Sequence, residues 1–237
     1  MLDDLVKEPF LGFQPESLEF LSKLKNPRYN NKKWFDNNRE IYEVYLKKPM
    51  RDLTDTLSVE IKKIDPNIVV NYKSIFRINR DIRFTKDKTP YKSHFAASFC
   101  FDMIKKPDMP QFYFHFSPTE FLIAGGQYSS DPQKLKKIKN EIFTNYPRYK
   151  KIISDKKFVK AYKKVLGEKI TRLPKGYENI DEKKSGELLI ESLKMKQFYV
   201  DEYHKPDVIL ESSLVELITK NIKQMYDFVK FLHNALN

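Results

Sequence analysis

From residue 75 to residue 85 the chain alternates. Phe76, Ile78, Ile82 and Phe84 fall on one parity, and Arg77, Asn79, Asp81, Arg83 and Thr85 on the other. Successive side chains of a strand point to opposite faces, so the spacing predicts a half-buried strand whose polar face carries two guanidiniums with a carboxylate between them. Arg80 falls on the apolar parity. It needs either a bulge that re-aims it or a buried partner, and Asp81 and Asp87 are the nearest carboxylates in sequence. Residues 85–90 have loop chemistry, with Pro90 fixing its own φ and holding Thr89 extended.

The same reading along the rest of the chain predicts an α+β fold: an antiparallel sheet of four to six strands packed by N-terminal and C-terminal helices. Pro15-Glu16-Ser17 opens a helix to about residue 25. Asn30 or Asn31 caps a second, to about residue 46, with Trp34, Phe35, Tyr42 and Tyr45 on its apolar stripe. Pro49 fits the first turn of a third. Strands are expected at 68–70, at 75–85, at 93–101, at 111–116 and at 120–125. In the third and fourth of these, Phe95, Phe99, Phe112, Phe114 and Phe116 alternate with other residues. Short connections join them as a meander. Ser130-Asp131-Pro132 starts a helix that Pro147 stops, and another runs from 155 to 166 with Gly167 at its end. A short strand is expected at 169–173, a helix at 185–193, a strand at 197–200, and a final helix from Ser212 or Ser213 to about 235.

Composition then sets bounds. With 237 residues, a single domain over 1–237 is expected, with 1–14 a loose extension. Eighteen Phe and fourteen Tyr are enough to fill a sizeable core. No apolar run reaches the roughly 20 residues a membrane span needs, and residues 1–10 lack a signal-peptide pattern. One cysteine, Cys100, excludes an internal disulfide, and the cytoplasm is the expected compartment. The net charge of +12 favours polyanionic partners: phosphorylated ligands, nucleic acid or an anionic surface.

The charge is densest where the alternation is clearest. Arg77, Arg80, Arg83, Lys86, Lys88 and Lys92 face only Asp81 and Asp87 across 77–92. A guanidinium fork matches a carboxylate or phosphate, so this strand and loop, with the hydroxyl of Tyr91, form a candidate anion site. Two other readings stand beside it: a structural Arg–Asp network, and a solvated charged face. Gly125 and Gly126, with Tyr128, and the turn holding Lys175 are candidate contributors, because glycine lets backbone approach a ligand closely. His94 and His115 lie on adjacent expected strands, at the parity of Arg77 and Arg83, and are candidate acid–base groups. Their spacing matches no ligand motif, and no P-loop, dinucleotide fingerprint or nucleophile elbow is present, so no metal and no cofactor are expected.

The run RINRDIRFTKDKTPYK resembles the signature of a family known as domain of unknown function 2461. Asn30-Asn31-Lys32-Lys33-Trp34-Phe35, Gly125-Gly126-Gln127-Tyr128 and Pro174-Lys175-Gly176-Tyr177 fit in order, and the resemblance spans roughly residues 10–235. Pro27-Arg28-Tyr29 resembles an insertion, and Lys33 stands where such proteins carry an acidic residue. The resemblance implies no activity. The residues themselves favour a domain that binds, or acts on, a phosphorylated or other anionic small ligand. The alternatives are a nucleic-acid-binding module and a purely structural network. The sequence leaves catalysis and oligomeric state open.

Overall fold

The computed structural model describes residues 10–101, 108–129 and 131–237, without the side chains of 182 and 183. Residues 1–9 of the expected loose start, and Ser130 of the expected helix start, lie outside the described residues. The fold is α+β with one four-stranded antiparallel sheet. Its strands are β1 (Phe95–Phe99), β2 (Gln111–Phe116), β3 (Phe121–Gln127) and β4 (Phe198–His204), in the order β1-β2-β3-β4. Strand β2 shows the predicted alternation, with Phe112, Phe114 and Phe116 buried and the residues between them half-buried. All five residues of β1 are buried, on both parities.

The strand expected at 75–85 does not form. Single bridges replace it: Ile75 with Ala97, and Asn79 with Tyr91. The chain turns at Arg83 and Phe84, and Phe84 is 93% exposed instead of facing the core. The cause is local. Asp81 and Asp87 accept from backbone N–H groups two residues ahead, at Arg83 and Thr89, and such side-chain bonds compete with a strand ladder. The irregular ribbon still has a sheet function. At 69–76 it pairs with the free edge of β1 through Val69 N–H to Cys100 O (2.8 Å) and Phe76 N–H to Ala96 O (2.9 Å), which blunts an edge that would otherwise invite pairing. The expected strands at 68–70 and 169–173 likewise reduce to bridges, the second between Lys169 and Met195.

Two compact units make up the chain. The first comprises the described residues of 1–103, 113–123 and 203–221; the second takes those of 104–112, 124–202 and 222–237. In the first, α1 is Pro15–Lys25, α2 Lys32–Asn37, α3 Arg39–Tyr42 and α4 Lys48–Lys62. A π-helical turn, Glu43–Lys47, joins α3 to α4, where sequence had suggested two separate helices. Pro49 has no N–H for the preceding turn, and its ring crowds the carbonyl four residues back. The wide turn relieves this, with Lys48 N–H reaching Glu43 O, five residues back. The core here is aromatic: Phe20, Phe35, Tyr42, Phe95 and Phe116 are buried with Phe10 and Phe13. Phe13 N–H also bonds Ile209 O (2.9 Å), so Phe10 and Phe13 of the expected loose start are packed.

In the second unit, α5 is Pro132–Thr144, α6 Tyr146–Ile153, α7 Lys156–Tyr162, α8 Glu182–Ser185 and α9 Glu187–Lys194. Asp131 caps α5 and Asp155 caps α7, each accepting two backbone N–H groups. The last helix, α10 (Leu214–Asn234), lends its second half to this unit. There Phe228 meets Phe158, and Phe231 meets Tyr149. Gly126 sits at φ +128, where a Cβ would collide with the carbonyl of Phe198 on β4. Gly126→Ala adds backbone strain to that collision, and a loss of about 3 kcal/mol in chemical denaturation is expected. A midpoint equal to wild type would show that β4 yields to the added methyl.

Candidate functional site

The site begins with one asparagine. Helix α1 ends at Lys25, and a turn over Asn26–Tyr29 brings Asn30 into the interior, 5% exposed. Its side-chain amide donates to Leu24 O (2.7 Å) and Tyr91 O (2.9 Å), and its oxygen accepts from Tyr91 N–H (3.0 Å). One side chain therefore satisfies both backbone groups of a residue 61 positions away. Tyr91 is also stacked on Phe35, with ring centroids 4.1 Å apart and an interplanar angle of 13°. Asn31 takes the capping task, accepting from Trp34 N–H at 3.0 Å. The asparagine doublet thus divides two jobs: one residue starts a helix and the other clips a distant loop.

That loop is a braced excursion. Lys92 N–H bonds Ile78 O (2.9 Å) and Arg80 N–H bonds Pro90 O (2.8 Å), closing its base. Inside, the Arg80 guanidinium bonds Asp87 and both the hydroxyl and the carbonyl of Thr89. This answers the need that its apolar parity implied. Hydrogen bonds from Thr89, and then from Arg80, hold the Asp87 carboxyl down at about 2. Arg83 forks onto Asp81 at 3.0 and 2.7 Å, and that bond also lowers the Asp81 carboxyl. Lys88 donates to Ile82 O (2.9 Å). Arg77 and Arg83 were expected on one face of a single strand. They do not share one, because the loop turns between Arg77 and Phe84. Among the described residues, Arg77 and Lys86 form no ion pair.

Between the end of α1 and the loop's return limb lies a groove of about 320 Å³. Lys25, Arg80 and Lys92 line it against one carboxylate, Asp87, with Asn30, Thr89, Ser93 and His94 supplying polar atoms. Of the candidates read from sequence, the structure gathers Arg80, Asp87, Tyr91, Lys92 and His94 here. Lys92 is half-buried. Its ammonium donates to Arg77 O (3.0 Å) and lies 5.4 Å from the Phe76 ring, and no carboxylate pairs with it among the described residues. Burial, and then the charge of Arg77, push its pKa down.

Beside the groove stand the two histidines, with ring centroids 5.3 Å apart. His115 is held at both nitrogens, by the Tyr113 hydroxyl (3.1 Å) and the Glu120 carboxylate (3.2 Å). Burial pushes Tyr113 up to about 12, so its hydroxyl stays protonated. Burial also lowers His115, against the pull of Glu120. His94 is driven down to about 4, first by burial and then by His115 and Lys92, so it is a neutral imidazole at neutral pH. No group of three His, Cys, Asp or Glu among the described residues is placed to hold a metal ion.

The remaining candidates belong to the second unit. A Cβ on Gly125 would strike Met225 and Val229, and the space beside Gly126 is taken by β4, so both glycines serve close packing there. Tyr128 is 68% exposed and meets the edge of Tyr199. Lys175 is exposed in a turn where Gly176 N–H donates to Glu178 (2.6 Å). Sequence reasoning missed Lys25, Thr89, Tyr113 and Glu120. The alternation of β2 puts Tyr113 on the parity of His115, which was a usable signal; nothing in sequence ties Lys25 to a loop more than fifty residues on.

A family profile described as conserved hypothetical protein (DUF2461) matches residues 16–231, most of the chain. The protein belongs to that family. No curated protein matches its sequence.

Two predictions follow from this geometry. Asn30→Ala leaves two carbonyls and an N–H without their partner. A loss of about 3 kcal/mol is expected, since each buried unsatisfied group costs about 1–3 kcal/mol and water relieves some of it. Hydrogen exchange should show the Tyr91 amide losing its protection while α10 keeps its own, and unchanged protection would refute the clip. The second concerns pH. His94 titrates near 4 in the folded chain and near its ordinary 6.5 when unfolded, so the unfolded chain binds the extra proton between those values. Stability is full above 6.5 and falls as pH drops toward 4, by up to about 2–3 kcal/mol. His115 acts in the same direction. Urea midpoints measured across this range should flatten in His94→Gln, and a slope identical to wild type would exclude His94 as its source.

Proposed function

We propose that the groove beside Lys92 binds a small anionic ligand, a phosphate ester or a carboxylate. The observation that carries this reading is the state of Lys92: a half-buried side chain whose ammonium has a carbonyl and an aromatic ring as company and, among the described residues, no carboxylate. A desolvated cation without a counter-ion is stabilised by any anion that reaches it. Lys25 adds to the attraction. Opposing terms are smaller: Asp87 is neutralised by Arg80, and the negative end of the α1 dipole amounts to about half a charge. His94, neutral beside Lys92, offers a hydrogen-bond acceptor to a hydroxyl or N–H on the same ligand.

The rest of the arginine cluster supports a structural role. Arg80 holds Asp87 and Thr89, and Arg83 holds Asp81. The anion reading therefore rests on Lys92, Lys25 and His94, with Arg80 as a partner already oriented, and not on the six cations together.

Thermal unfolding with inorganic phosphate, sulfate and a panel of phosphorylated and carboxylated metabolites tests it. A ligand at a hundredfold excess over Kd stabilises by about 2.7 kcal/mol. For a chain of this length that is a rise of about 5–10 °C in Tm. Lys92→Met should fold and lose most of the rise. If no anion shifts wild type, or if Lys92→Met shifts equally, the groove is not an anion site.

A further inference from the structure

At the tip of the braced loop the chain presents one bare aromatic ring. Phe84 is 93% exposed, which for a phenyl side chain costs free energy unless something covers it. The loop beneath it is not slack. Arg80 ties its limbs through Asp87 and Thr89, Lys88 bonds Ile82 O across the turn, and Arg83 is fixed by Asp81. The Arg83 guanidinium lies over the Phe84 ring, 5.4 Å from its centroid, and sets the ring's position from one side. Close by in sequence are Lys86, without an ion pair among the described residues, and Lys88, whose bond to a carbonyl leaves its charge uncompensated. The two carboxylates of the tip, Asp81 and Asp87, are already engaged by arginines.

We infer that this tip is a contact point for single-stranded nucleic acid, with Phe84 stacking on one unpaired base and Arg83, Lys86 and Lys88 facing the flanking phosphates. Charge complementarity points to a polyanion, and the ring decides which kind. A flat aromatic face fixed by a guanidinium suits a planar base, which every nucleotide offers once it is unpaired. In a duplex the bases cover one another and leave no such face. An anionic bilayer would also attract the cations, but Phe84 is the one large exposed apolar side chain among residues 81–89, and Ile82 is half-buried. A membrane contact rests on buried apolar area, and one ring supplies little of it. Arg83, Phe84, Lys86 and Lys88 lie outside the groove lining, so this inference stands apart from the anion reading.

The test uses the full chain and a fluorescein-labelled oligothymidylate, with fluorescence anisotropy from low to moderate salt. Wild type is expected to bind, with affinity falling steeply as salt rises. Phe84→Leu keeps the apolar volume and removes the stacking face. It should weaken binding about tenfold to a hundredfold. Lys86→Gln should lower the slope of log K against log salt by about 0.7. Because Phe84 is exposed, Phe84→Leu should unfold like wild type and keep any anion-induced rise in Tm, so this inference and the groove reading fail separately. Three outcomes overturn it: no binding by wild type at low salt, equal binding by Phe84→Leu, or capture by phosphatidylserine vesicles that Phe84→Leu retains while the oligonucleotide does not bind.

Discussion

The candidate site depends on the three hydrogen bonds of Asn30. A backbone segment that leaves the sheet must still satisfy its N–H and C=O groups, and Tyr91 does so through one buried amide, not through a ladder. The same amide closes the end of α1 through Leu24 O. Helix terminus, loop limb and groove wall therefore share a single fixed point. Stacking of Tyr91 on Phe35 adds contact to that point but little direction. The hydrogen bonds set where the loop stands, and so where Lys92 and His94 face.

With the limb fixed, the charges sort themselves. The carboxylates of the loop meet arginines within a few residues, and those pairs are exposed, which limits each to a modest contribution. Their value is conformational: they replace strand pairing with a compact excursion whose tip and base differ in exposure. At the base, lysine and histidine are drawn partly out of water beside a concavity. At the tip, a ring and several cations are held in water.

The histidine pair belongs to the same logic. Tyr113, His115 and Glu120 form a chain of polar partners on β2 and the turn after it, and that chain holds the His115 ring. His94 then lies beside an imidazole that is itself reluctant to charge, and near the Lys92 ammonium. Burial above all, then His115 and Lys92, keeps it neutral. This is the condition a hydrogen-bond acceptor or a base requires at neutral pH.

Much of this was legible in the sequence. The Pro15 helix start, the Asp131 cap, the alternating phenylalanines of β2 and the α+β meander all rest on interactions within a few residues, where spacing carries the physics. Arg80, on the wrong parity, called for either a bulge or a partner, and it has partners in Asp87 and Thr89. The charged run was misread for the same reason. Its period of two is a statement about faces, and it gives a strand only if a neighbour supplies the ladder. Here Asp81 and Asp87 captured the backbone first, and Phe84 turned outward. Tertiary structure alone decided the pairing of Asn30 with Tyr91, the desolvation of Lys92 and the placing of Lys25 beside it. Those depend on which distant segments exclude water from one another, and no local spacing encodes that.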